Sequence, residues 1–148
     1  MNVYDFDQTI YDGDSTVDFY FFCLRAKPSI IFCFPLIGAV SLICDRRHKF
    51  DFKERFYRFL HKFNDIDGMI DRFWSTHIQK IKPWYIAKHK NDDVVISASP
   101  EFLLQPACHQ LGISALMASV VDKKTGQYTG ENCWGEEKVR RFRERPDA

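Results

Sequence analysis

Two aspartates, Asp5 and Asp7, stand two positions apart in the stretch Asp5-Phe6-Asp7-Gln8-Thr9. On extended backbone, residues i and i+2 project to the same side, so both carboxylates can face one cleft while Phe6 packs behind them. Like charges that close disfavour joint ionisation. A divalent cation relieves one of them and a proton neutralises the other. Such a pair suits phosphoryl transfer. One carboxylate attacks phosphorus and forms an acyl phosphate. The other protonates the departing oxygen and then accepts a proton from the hydrolytic water. A hard, oxygen-seeking Mg²⁺ would hold phosphate and nucleophile together. The same pattern also reads as a solvated acidic turn, or as a carboxylate pair capping the next segment.

Two further positions could complete such a site. Ser97 ends the run Val94-Val95-Ile96-Ser97-Ala98-Ser99-Pro100. A hydroxyl there, followed by the amides that open a helix, makes a phosphate cradle. The plainer reading is a helix cap, which Ser99 could serve equally well. Lys138 lies in Gly135-Glu136-Glu137-Lys138-Val139, where its ammonium could offset the charge of phosphate and nucleophile. Beside Arg140 and Arg141 it could equally belong to a solvated basic face.

These residues need elements to position them. Val3 to Phe6 reads as a short buried strand, with turn chemistry over Thr9 to Ser15 and Asp14 or Ser15 as the cap of a helix from Val17 to Ala26. Ser29 to Cys44 is apolar, broken by Pro35 and Gly38 and flanked by Arg25, Lys27, Arg46, Arg47, His48 and Lys49. It is shorter than the roughly 20 apolar residues a spanning helix needs. It reads as a buried helical hairpin or as an insert that dips into a membrane interface. Phe52, Phe56, Phe59, Leu60 and Phe63 make one helical stripe, with Asp51 as cap. Ile66, Met69, Ile70, Phe73, Trp74 and Ile78 make the next. Residues 15–90 thus read as an all-helical insert.

The pattern then changes. Asp93 to Ser97 is a β-branched run of the kind found in buried parallel strands. A helix from Pro100 to Leu111 follows, then a hairpin pairing Ala118–Val121 with Gln127–Thr129 around Lys124-Thr125-Gly126. A basic helix over Gly135 to Glu144 comes last. The expected fold is therefore α/β: a parallel-sheet core made of residues 1–14 and 91–148, with the helical insert 15–90 after its first strand.

Bulk properties are compatible with one folded unit. The chain has 148 residues, 45% hydrophobic and 28% charged, with a net charge of +1. No global field points to nucleic acid. The cysteines, Cys23, Cys33, Cys44, Cys108 and Cys133, form no C-x-x-C pair and read as small buried hydrophobes in a reducing compartment. The opening Met1-Asn2-Val3-Tyr4-Asp5 has no leader character, so a cytoplasmic location is expected.

Taken together, Asp5 to Ser15 (including Tyr11-Asp12-Gly13-Asp14-Ser15), Ile96 to Glu101 and Thr129 to Val139 resemble the haloacid dehalogenase superfamily. They look most like its phosphoserine-phosphatase-like branch, in which a helical cap follows the first motif. The resemblance implies a Rossmann-like core and a Mg²⁺-dependent phosphatase. It makes Asp5 the nucleophile and a metal ligand. Asp7 becomes the acid/base and a second ligand through its main-chain carbonyl. Thr9, Ser97 and Lys138 would hold the phosphate, and Asp14, Phe19 and Phe22 would face the substrate.

Phe34-Pro35-Leu36-Ile37, Ser97-Ala98-Ser99-Pro100 and Cys133-Trp134-Gly135-Glu136-Glu137-Lys138 are further similar to phosphatidylglycerophosphatase C-like members. These act on a lipid phosphate, which would bring the apolar insert to the inner membrane surface. Only Val139 to Ala148 follow Lys138, with no counterpart of the family's fourth, acidic motif. The expectation is a piece of a longer protein. The rival reading is a non-catalytic binding domain that keeps the scaffold.

Overall fold

Val94, Val95 and Ile96 are β-branched and buried. Such a run satisfies its backbone only between two other strands. In the computed structural model it does so. The structure describes residues 1–33 and 56–145. Strand β2 (Val94–Pro100) lies between β1 (Val3–Tyr4) and β3 (Ala115–Ser119), parallel to both. Val3 pairs with Val94 and Tyr4 with Val95, while Val94, Val95 and Ile96 pair with Ala115, Leu116 and Met117. The short β1 is pinned by the buried Asp93, whose Oδ1 accepts the main-chain and side-chain N–H groups of Asn2, both at 3.0 Å.

Side chains alternate across this sheet, and each face carries its own helices. Val95 belongs to the main core, with Leu103, Leu104 and Ala107 of α4 (Glu101–Gln110). The same core takes in Phe19 and Cys23 of α1 (Ser15–Ala26), and Ile70, Phe73 and Trp74 of α2 (Ile66–His77). Val94 and Ile96 face the other way, onto Cys133, Met117 and Phe142 of α5 (Glu136–Arg143). A short helix, α3 (Pro83–Lys88), precedes β2. The result is a three-layer α/β arrangement around a parallel sheet.

Between β1 and β2 the described residues are helical, apart from turns and isolated bridges: α1, α2 and α3, with 3-10 turns at Pro28–Phe32, Arg58–Lys62 and Ile78–Lys80. Only the end of the Phe52–Phe63 stripe is described, and Arg58–Lys62 there is the tighter 3-10 form. The apolar run Ser29–Cys44 lies outside the described residues from position 34 on. No helix among the described residues is long and apolar enough to cross a membrane.

One expectation needs correcting. Ala118 and Ser119 belong to the parallel strand β3, and the anticipated hairpin shrinks to a single antiparallel bridge between Val121 and Tyr128. The parallel partner β2 outcompetes a local hairpin because it offers a buried ladder. The turn itself is real. Gly126 has φ +76°, and a Cβ there would come within 2.4 Å of the Tyr57 carbonyl.

Candidate active site

Asp5 leaves the C-terminal end of β1, and Phe6 turns inward to be fully buried. The Phe6 ring stacks on Tyr11 at 5.9 Å, and the Trp74 ring meets both edge-on at 6.0 and 5.7 Å. Trp74 is fixed in turn by its indole N–H, which donates to the Leu103 carbonyl at 2.6 Å. This aromatic anchor is what sends the flanking carboxylates away from the core.

The chain then doubles back in a tight turn. Ile10 and Tyr11 N–H both donate to the Phe6 carbonyl at 2.9 Å, and Gln8 N–H donates to Gly13 O at 3.0 Å. Gln8 takes φ +62°, a left-handed conformation that is strained for a side-chain-bearing residue. Contacts from the segment after α2 hold it there. Lys82 Nζ donates to the Gln8 carbonyl at 2.6 Å, Lys82 N–H to Ile10 O at 2.8 Å, and Asp12 N–H to Lys80 O at 2.8 Å. Thr9 sits within this turn, half-buried, with its N–H on Phe6 O at 3.3 Å.

Asp7 is gripped on both oxygens. Oδ1 accepts the Ser15 N–H at 2.7 Å and Oδ2 accepts the Ser99 hydroxyl at 2.5 Å. Burial pushes its pKa above the ordinary carboxylate value and the Asp14 charge adds to this, while the bonds from Ser99 and Ser15 pull back only in part. Asp14 itself caps α1, its Oδ1 accepting the Val17 N–H at 3.0 Å.

β2 breaks its ladder with β3 between Ile96 and Pro100, an irregularity of the kind that re-aims side chains beside sites. Ser97, 1% exposed, accepts the Ser99 N–H at 3.1 Å, which leaves its hydroxyl proton free for a ligand. The helix that follows has Pro100 at its cap position and no side-chain cap bond.

Asp5 has a different setting. Its side chain is 47% exposed, and Lys138 Nζ stands 2.6 Å from Oδ2, across 133 positions of sequence. Arg141, one turn further along α5, donates to Ala118 O and Glu131 O, each at 2.6 Å, and its Nε donates to Glu137 at 2.6 Å. These bonds tie α5 to the end of β3.

The anticipated residues therefore fall into two joined groups, Asp5 with Lys138 and Asp7 with Ser99 and Ser97. Two substrate-facing expectations fare differently. Phe19 is 2% exposed and packs edge-on against Phe73 at 5.3 Å. It lies on the inner stripe of α1 with Ser15 and Cys23, so it is core and faces no cleft. Phe22 is half-buried and lines a surface groove with Arg25, His77 and Lys80. Ser99 and Arg141 were not singled out for these contacts. The Ser97-x-Ser99 spacing did carry a signal, since i and i+2 share one side of a strand.

The donor set also bears on a metal. Among the described residues no three His, Cys, Asp or Glu side chains converge, so there is no closed protein cage. What Asp5 and Asp7 offer is hard oxygen on an accessible strand end. That fits Mg²⁺, which keeps several waters and is commonly bound through one or two carboxylates plus substrate phosphate.

A crystal structure of a protein with unknown function from Bordetella pertussis Tohama I has the same fold, with a TM-score of 0.81 at 16% sequence identity, covering 96% of this chain and 71% of that one. No curated protein matches the sequence. The sequence profile of haloacid dehalogenase-like hydrolases matches residues 3–148. With its parallel α/β core, the chain belongs to the haloacid dehalogenase-like hydrolase family.

Proposed function

We propose that the protein is a Mg²⁺-dependent phosphomonoesterase working through an aspartyl phosphate on Asp5. The observation that carries this reading is the convergence of Lys138 on Asp5, two residues from a half-buried aspartate with raised proton affinity. The Asp5 carboxylate attacks phosphorus as the P–O bond to the leaving alcohol breaks. The Asp7 carboxyl gives its proton to the departing oxygen. Asp7, now ionised, takes a proton from water, which attacks the acyl phosphate, releases inorganic phosphate and restores Asp5. The Ser97 hydroxyl and the Lys138 ammonium donate to phosphate oxygens and offset charge that builds in the transition state. The Asp5 carboxylate and the Asp7 main-chain carbonyl would hold Mg²⁺, which supplies Lewis acidity toward the phosphoryl group.

The substrate is a phosphomonoester, either of a small alcohol, as in phosphoserine, or of a lipid, as in phosphatidylglycerophosphate. The lipid case would bring the protein to the membrane surface. Mg²⁺-dependent hydrolysis of p-nitrophenyl phosphate tests the reaction, comparing the wild-type chain with Asp5→Asn. Activity in the wild type, falling more than about 10³-fold in the variant, is expected. Equal activity in both removes Asp5 as nucleophile. No activity in either favours a binding domain on this scaffold. Comparing phosphoserine with phosphatidylglycerophosphate in detergent micelles separates the two substrate classes.

A further inference from the structure

We propose that Ser99 is a positioning residue whose hydroxyl aims the Asp7 carboxyl at the leaving oxygen. The inference rests on the reading of Asp7 as the acid of the first chemical step. Ser99 is 7% exposed and sits in the stretch of β2 that leaves the ladder. Its hydroxyl stands one residue before Pro100, the cap position of α4, makes no cap bond to that helix, and reaches Asp7, 92 positions away. Thr16 Oγ1 donates to Ser99 Oγ at 3.1 Å. With its oxygen engaged by Thr16, Ser99 directs its single proton toward the carboxylate. The Ser99 main chain is held from a third side, by its N–H bond to Ser97 Oγ.

The geometry explains why one hydroxyl matters. Both oxygens of a carboxylate turn together, and a single bond from the Ser15 N–H to Oδ1 leaves the group able to pivot about that contact. The hydrogen bond from Ser99 to Oδ2 supplies the second point that fixes the plane of the carboxyl group. Without it the carboxyl still lies in the site but no longer points in one direction, and proton transfer is sensitive to such aim. Ser99 also joins the acid to Ser97, so the group proposed to protonate the alcohol and the group proposed to bind phosphate are set by one short strand segment.

A role in aiming the acid has a signature that general damage lacks. Nitrophenolate departs as a stable anion and needs no proton, whereas an alkoxide does. The ratio kcat/KM covers the steps through departure of the alcohol, so later hydrolysis of the acyl phosphate does not enter. We expect Ser99→Ala to lower kcat/KM for an alkyl phosphate such as glycerol 2-phosphate by about 10²-fold, and for p-nitrophenyl phosphate by no more than about threefold. Ser99→Thr, which keeps the hydroxyl, should restore most of the loss. Thr16→Val removes the donor behind Ser99 and should show the same selectivity at smaller size, which covers the case in which Ser99→Ala fails to fold. Thermal unfolding of each variant separates folding from aim.

Asp7→Asn serves as the reference. If it discriminates between the two esters while Ser99→Ala loses equally on both, or on neither, Ser99 has no positioning role. If Asp7→Asn does not discriminate, the assignment of Asp7 as acid fails and takes this inference with it. A wild-type chain that hydrolyses neither ester overturns both.

Discussion

Around Asp7 the supports are packed side chains: Phe6, Tyr11 and Trp74 are buried and in ring contact, and both carboxylate oxygens are hydrogen-bonded. Around Asp5 they are one main-chain amide, the Phe6 N–H on Oδ1 at 2.8 Å, and a charge. Its partner Lys138 comes from α5, a helix with no fully buried residue, held mainly by Arg141 and by ion pairs through Glu137. The two carboxylates are neighbours in sequence, yet one is set by apolar packing and the other by electrostatics. That division matches their proposed tasks. A group that must carry a proton gains from burial, and a group that must attack gains from exposure and a cation. The two sides should therefore fail differently when disturbed.

The largest effect is expected on the packed side. Trp74→Ala removes a fully buried indole and leaves the Leu103 carbonyl without its donor. A loss of about 3–5 kcal/mol in urea unfolding is expected, a large part of the stability of a domain this size. A loss below about 1 kcal/mol would mean that the anchor under the Asp5–Asp7 turn is not where the fold stores its stability.

Lys138→Ala disturbs the other side and should reverse the balance. The ion pair with Asp5 is partly solvated, so its removal should change unfolding stability by no more than about 1 kcal/mol. Phosphatase activity should fall about 10²- to 10³-fold. An unfolding shift as large as that of Trp74→Ala would erase the distinction between the two supports.

A smaller effect is expected at Arg141, which touches neither carboxylate but pins α5 through three donors. Arg141→Ala should cost about tenfold in activity by letting Lys138 drift. Arg141→Lys should not restore it, because an ammonium lacks the planar fork that reaches two carbonyls and a carboxylate together. Full rescue by lysine would reduce the tether to a simple charge.

How far these relations could be read in the sequence follows from their range. Asp5, Asp7, α1, α2 and β2 were legible because local spacing fixes them: i and i+2 on a strand, and the helical stripes from Ile66 to Trp74. Phe19 was expected to face the substrate, but its place on the buried stripe of α1 with Ser15 and Cys23 puts it in the core. The third strand was hidden in the same way. Ala115–Ser119 has little β-branching, and only pairing with Val94–Ile96, about twenty positions away, makes it a strand. Ser99 and Arg141 act through contacts across 92 and 23 positions, which no local pattern encodes. For Lys138 the local sequence left two readings, a partner for the nucleophile or a solvated basic face, and the family resemblance pointed to the first.

The smallest expected effect separates the two supports by pH. On the packed side, burial pushes the Cys23 and Cys108 thiols from their ordinary 9.0 up to about 12. Tyr57 and Tyr85 are likewise raised above 10.0. Groups raised in the folded state contribute stability that is complete below their unfolded values and is lost as pH rises. The alkaline edge, from about pH 9 to about 12, therefore reports on the packed layer. On the α5 side, the guanidinium groups of Arg140 and Arg141 lower Glu137 from 4.5 to about 2. Its contribution is present above pH 4.5 and is lost as pH falls toward about 2. The Arg140 partner of Glu137 is exposed to solvent, so salt should weaken the acid edge, whereas the alkaline edge, set by burial, should hardly respond. Thermal midpoints recorded from pH 3 to pH 11, at ionic strengths of about 0.05 and about 0.5 M, should show a Glu137→Gln variant losing part of the acid slope and none of the alkaline one. If salt moves both edges alike, packing and charge do not divide the site as the contacts of Asp5 and Asp7 indicate.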